Sequence, residues 1–197
     1  MSNDGVNNGR RRFLVAATSA VAAVGAVGVA VPFVGSWLPS ARAKAAGAPV
    51  KVNISKLEPG QQIVAEWRGQ PVFVSRRTPE ALAILEENTE ILADPNSEAS
   101  VQPDYVDPTT RAIKPEILIV LGICTHLGCS PLFRPEVASA EMGAEWKGGY
   151  FCPCHGSHYD MAGRVWRSQP APKNLPVPPH SYETDDIVVI GADEETA

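Results

Sequence analysis

The chain has 197 residues, 44% of them hydrophobic and 20% charged, which is room for one ordinary globular domain and an appended segment. Residues 1–50 carry five Lys/Arg against the single acid Asp4, while the remainder carries 12 basic and 21 acidic side chains, a balance of −9. An acidic body of this kind argues against a nucleic-acid partner, because phosphate binding needs a basic surface; it suits a basic protein partner or a surface that is simply solvated.

Taken in chain order, Arg10-Arg11-Arg12-Phe13-Leu14 comes first and resembles the twin-arginine export signal. Gly9 and Val15 stand where that signal usually has Ser or Thr and Lys. Residues 13–41 contain no charged side chain, and Phe13 to Val34 is mostly Ala, Val and Gly. At about 1.5 Å per residue this run crosses a hydrocarbon core of about 30 Å as one helix. The three arginines keep its start in the cytoplasm, with Pro32 and Trp37 at the far interface. Ala22, Ala26 and Ala30 form a small-residue stripe suited to close helix packing, or plain Ala-rich low complexity. Ala41-Arg42-Ala43 also reads as a cleavage site, but the uncharged run exceeds an ordinary signal core and favours a retained anchor. The expected division is a cytoplasmic start over residues 1–12, an anchor over 13–37, a flexible tether over 38–49 and a head over 50–197.

In the head, Val50–Ile54 and Ile63–Trp67 alternate with period two, and Pro71–Val74 follows a Gly-Gln turn, so all three read as strands. Thr78-Pro79-Glu80 sets an N-cap and a first-turn proline for a short helix ending at Glu87. Asp94–Pro115 is rich in Pro, Asp, Ser and Thr and reads as a long surface excursion. Glu116–Ile123 suits a buried strand, and Ile187–Ile190 is the last strand, ended by Gly191. There is no internal repeat. The fold class is mainly β: an antiparallel head with functional loops after strands, plus one N-terminal transmembrane helix.

All four cysteines lie between 124 and 154, with two of the four histidines among them. Even cysteine numbers signal disulfides or a metal site, and the histidines make metal at least part of the answer. One box is Cys124-Thr125-His126-Leu127-Gly128-Cys129; the other is Cys152-Pro153-Cys154-His155-Gly156-Ser157. One thiolate pair and one imidazole pair fit a [2Fe–2S] cluster in which two His replace two Cys. Neutral imidazole removes negative charge and raises the potential, to about −150 to +300 mV against about −400 mV for all-cysteine plant-type clusters. Cys129 and Cys154 are then left over, open to a disulfide between the boxes. A zinc module would use four ligands and leave that second pair unexplained.

The paired boxes, continued by His158-Tyr159, resemble the signature of Rieske iron–sulfur proteins from quinol–cytochrome c reductases (cytochrome bc complexes, bacterial type). The resemblance implies a Rieske-type antiparallel head with its cluster-binding region over about residues 120–178. It implies Cys124 and Cys152 on one iron, His126 and His155 on the other, and a Cys129–Cys154 disulfide. Ser157 and Tyr159 would donate hydrogen bonds to sulfur, favouring the more negative reduced state. Leu127 would be an exposed apolar shield near the cluster, and Gln169-Pro170-Ala171-Pro172 resembles the family's covering proline loop, with Gln169 where many members have Gly. The expected partners are a cytochrome b subunit, a c-type cytochrome, a membrane quinol (ubiquinol) and the lipid bilayer, in a dimeric complex in the bacterial inner membrane with the head in the periplasm. His155 and His126 are the residues expected to face quinol, within proton-translocating electron transfer. A Rieske subunit of a periplasmic molybdenum oxidase shares the export signal and boxes, and is the competing function. His158 and His180 match no ligand position and read as surface or packing residues; Ser130–Gly148 reads as a surface loop.

Overall fold

The computed structural model describes residues 5, 7–87 and 89–192. It forms two compact units, divided between Ala45 and Ala46. The first contains helix α1, Asn8–Ser36, none of whose side chains is buried. At 29 residues it is about 44 Å long, and it is long and apolar enough to cross a membrane. It begins before the expected anchor at residue 13, because the Asn7 side chain accepts a hydrogen bond from Arg10 N–H at 3.1 Å and caps the first turn. Within the segment expected to be a tether, whose Ala-rich composition also suits a helix, Ala41–Ala46 is a short helix, α2. Ser40 Oγ accepts from Ala43 N–H at 3.1 Å, and the Ala-rich run that follows has the strongest helix preference of any residue type.

The second unit is built from three antiparallel three-stranded sheets. β1 (Val50–Asn53), β9 (Ile187–Ile190) and β8 (His180–Thr184) form the first, with Val50 opposite Ile190 and a bulge between Tyr182 and Thr184. β2 (Gln62–Trp67), β3 (Gln70–Arg76) and β4 (Ile117–Leu121) form the second, and β5 (Leu132–Arg134), β6 (Gly149–Cys152) and β7 (Ser157–Tyr159) the third. Helix α3 spans Pro79–Glu87, where Thr78 Oγ1 accepts from Ala81 N–H at 3.2 Å as the sequence predicts. A single 3-10 turn, Thr89–Ile91, follows.

In the second sheet β3 and β4 are buried on both faces, which explains why β4 is an unbroken apolar run. Val72, Val74, Ile117 and Ile119 point one way into a core shared with Val52, Val188 and Ile190. Phe73, Leu118 and Val120 point the other way, onto Cys124, Tyr150, Cys152 and Tyr159. Phe73 stacks on Tyr150 with ring centroids 5.7 Å apart, and the Tyr150 hydroxyl lies 3.0 Å from Ser75 Oγ. The third sheet therefore stands on a rigid, doubly packed base. Ser130–Gly148 is not only a surface loop: it contains β5, and Trp146 within it is fully buried, its Nε1–H donating to the Arg134 carbonyl at 3.0 Å.

Candidate metal centre

Both boxes are tight loops of the same design. In each, the amide of a glycine returns to the carbonyl of the first cysteine: Gly128 N–H to Cys124 at 3.0 Å, and Gly156 N–H to Cys152 at 2.9 Å. Both glycines sit at left-handed φ, +86° and +78°, where a side chain is strained. The first box leaves β4 and the second is the turn between β6 and β7, so the strands fix both loops at one end of the head.

Cys129 and Cys154 are joined by a disulfide. Cys124 and Cys152 are free thiols, both buried. The sulfurs of Cys129, Cys152 and Cys154 lie within 4.8 Å of one another, but two of the three are spent on the disulfide. Cys152 is thus the sulfur of that group that remains to bind metal. Burial pushes the Cys152 thiol pKa up, as does the adjacent Cys124 thiol, while the Cys154 and His155 amides pull it down. Two buried thiols side by side, one of them held in its protonated form, are a poor arrangement for the empty protein and a good one for a cation that displaces both protons.

The His126 and His155 rings face each other edge to plane, with centroids 4.6 Å apart. His126 Nδ1 is buried without a hydrogen-bond partner among the described residues. A buried bare imidazole nitrogen, beside a histidine partner and two buried thiols, is the donor set that a two-sulfur, two-nitrogen [2Fe–2S] cluster needs. His155 is exposed, and Leu127, next to His126 in the chain, is 71% exposed.

Tyr159 is fully buried and its hydroxyl lies 3.2 Å from Cys124 Sγ. Thr125 N–H donates to the same oxygen at 3.2 Å. Thr125 Oγ1, also 3.3 Å away, already gives its proton to the Lys173 carbonyl at 2.6 Å. The tyrosine proton therefore has two acceptors in reach, Cys124 Sγ at 3.2 Å and Thr125 Oγ1 at 3.3 Å. Burial, and then the Cys124 contact, hold the Tyr159 phenol well above its ordinary pKa, so it remains a donor. Ser157 Oγ accepts from Ala171 N–H at 3.1 Å, across to the proline loop. Its own proton stays available for another acceptor.

Sequence reasoning did not single out Thr125 or Asn174. Thr125 links Tyr159 to the proline loop, and Asn174 anchors that loop from behind. A polar residue inside a proline-rich run was the available signal. His158 and His180 are packing residues. His158 lies against Trp146, Phe151 and Trp166 with centroids 5.2–5.5 Å away, and His180 is buried.

The geometry is that of a mainly β protein holding a metal cluster between two loops at the end of a packed head. The Rieske [2Fe–2S] domain profile matches residues 49–179, and the profile described as the ubiquinol–cytochrome c reductase Fe–S subunit TAT signal matches residues 1–40. The ubiquinol–cytochrome c reductase iron–sulfur subunit of Allochromatium vinosum is 57% identical over all of this chain and 95% of its own length. The like-named subunit of Blastochloris viridis is 42% identical over 97% of each chain. A solved structure described as hyperthermophilic respiratory Complex III is 28% identical, covers 89% of this chain and 99% of its own, and has a TM-score of 0.48. This chain belongs to the Rieske iron–sulfur subunits of ubiquinol–cytochrome c reductase, of bacterial type, and carries one [2Fe–2S] cluster.

Proposed function

We propose that the chain passes single electrons from a membrane quinol to a c-type cytochrome, as the iron–sulfur subunit of a proton-translocating complex with cytochrome b and cytochrome c subunits. Cys124 and Cys152 would hold one iron, and His126 and His155 the other. When bound, the cluster supplies a one-electron carrier whose potential is raised by its neutral imidazole ligands. The observation that carries this reading is the paired imidazoles: His126 turns a bare nitrogen inward, while His155 beside it reaches the surface.

His155 accepts a hydrogen bond from the quinol hydroxyl at its outer ring nitrogen and holds the departing proton there. Leu127 shields the same end from water and offers an apolar contact to the quinol pocket of the partner subunit. Tyr159 gives its hydroxyl proton to Cys124 Sγ and so favours the more negatively charged state. Helix α1 holds the chain in the bacterial inner membrane, the arginines at positions 10–12 keep its start inside, and the head works in the periplasm.

The test is low-temperature EPR on membranes from chains with Ala at Cys124, His126, Cys152 or His155. Each variant loses the reduced-Rieske signal, because each removes an iron bond. A full signal in any of the four removes that residue from the ligand set. Co-purification with b- and c-type haem subunits supports the assembly, and co-purification with a molybdopterin protein overturns it.

A further inference from the structure

The segment Gln169–Pro179 contains five prolines, at 170, 172, 176, 178 and 179. Proline has no N–H, so this segment cannot join a sheet ladder and its position must be fixed by individual bonds. Four of the six N–H groups that remain reach four different places. Ala171 donates to Ser157 Oγ at 3.1 Å, Leu175 to the Gly163 carbonyl at 2.8 Å, Val177 to the Val101 carbonyl at 3.0 Å, and Asn174 to Ser100 Oγ at 3.1 Å.

Asn174 is the densest of these points. It is 1% exposed. Its Oδ1 accepts from Val165 N–H at 2.9 Å, and its Nδ2 donates to the Asp94 carbonyl at 2.9 Å and to Ser97 Oγ at 3.0 Å. The turn it grips is self-supporting. The Asp94 carboxylate accepts from the Glu98 and Ala99 amides at 2.8 and 3.1 Å and from the Ser100 hydroxyl at 2.7 Å. On its other side the loop meets the boxes, through Thr125 Oγ1 to the Lys173 carbonyl and through Gln169 Oε1, 3.2 Å from His158 Nδ1.

We propose that Asn174, seated on the Asp94–Ser100 turn, is a positioning residue that sets the proline loop against Ser157 and so tunes the reduction potential of the centre. The link is the Ala171 N–H. By occupying a lone pair of Ser157 Oγ it turns the serine proton away from the loop and fixes the hydroxyl as a donor elsewhere. A loop that drifts releases that hydroxyl. The start of the Asp94–Pro115 excursion thereby gains a role: it is the foundation of the cover. This rests on the proposed ligand set and deepens it.

The experiment uses the full chain with its cluster, in detergent, as Asn174→Ala, Ser100→Ala and Ser100→Thr. Hydrogen exchange is followed at Ala171, and the midpoint potential and reduced EPR g-values are recorded. Both alanine variants speed Ala171 exchange by about fivefold or more, the factor for one lost hydrogen bond, and lower the potential. Ser100→Thr, which keeps the hydroxyl, stays at parental values. Parental exchange in the alanine variants overturns the proposal, as does a loosened loop with an unmoved potential, which would leave Asn174 a purely structural role. Should Asn174→Ala fail to fold, Ser100→Ala alone decides, since it removes one oxygen from a half-buried turn. A parental chain without a Rieske EPR signal would instead fail the ligand reading, and the exchange measurement does not depend on it.

Discussion

Tyr159→Phe removes one oxygen from the centre of the site and nothing from its packing. That oxygen lies 3.2 Å from Cys124 Sγ, to which the proposed function has it donate, and accepts from Thr125 N–H over 3.2 Å. A hydrogen bond to a charged acceptor contributes about 1.5–3 kcal/mol. It acts in both oxidation states, so only its excess in the more negative reduced state moves the potential. With that excess at about 1 kcal/mol, and about 59 mV per tenfold change for one electron, the potential falls by about 40 mV. The Thr125 amide also loses its acceptor inside the protein, a cost of about 1–3 kcal/mol in stability. The Thr125 hydroxyl keeps its bond to Lys173, so the proline loop stays in place. Redox titration by EPR of the purified full chain reads the potential, and thermal unfolding of the same samples reads the stability. Quinol oxidation slows in step with the lost driving force. An unchanged or raised potential, with the cluster at full occupancy, would refute the donor role of Tyr159 and return it to the packed core.

Serine at Cys129 or Cys154 leaves the free thiols intact but opens the clamp between the boxes. Both single variants and the double variant should lose cluster at the same raised rate in bleaching assays, and a double variant clearly worse than either single one contradicts a shared bond. Arg164→Ala strips a buried guanidinium that binds Asp160 at 2.7 Å and the carbonyls of Leu85 and Pro95. Breaking that buried pair should cost about 3–5 kcal/mol, read by denaturant titration; a loss below 1 kcal/mol, by the same scale, shows the network to be redundant. His180 has its pKa lowered by burial, with Nδ1 on the Pro178 carbonyl and Nε2 unpaired against the rings of Tyr105 and Tyr182. Its folded-state pKa lies below the unfolded value of 6.5, so the unfolded chain binds the proton first and stability falls as pH drops through and below that value. The thermal midpoint of the wild type should therefore fall more between neutral and mildly acid pH than that of His180→Gln, and equal losses would remove His180 from the acid response.

Much of this protein follows from local chemistry, which a sequence displays directly. An uncharged run behind three arginines can only be satisfied in lipid or by removal, and Thr78-Pro79 opens a helix whatever surrounds it. Two Cys/His boxes define a donor set, because ligand type and spacing are properties of a short loop. The strands of the third sheet were less legible. β5 and β7 have three residues each and take their shape from pairing with β6, not from their own pattern. The helix in the tether stayed open in the sequence because alanine suits a linker and a helix alike, and the Ser40 cap decides between them. Tertiary structure alone decided the partners of each polar group. Only there does Ser157 meet Ala171, Thr125 meet Lys173, and Asn174 meet a turn near residue 94. Those bonds join positions between 14 and 80 residues apart in the chain. Hydrogen bonds over such separations depend on how three sheets pack, and no local pattern records that packing.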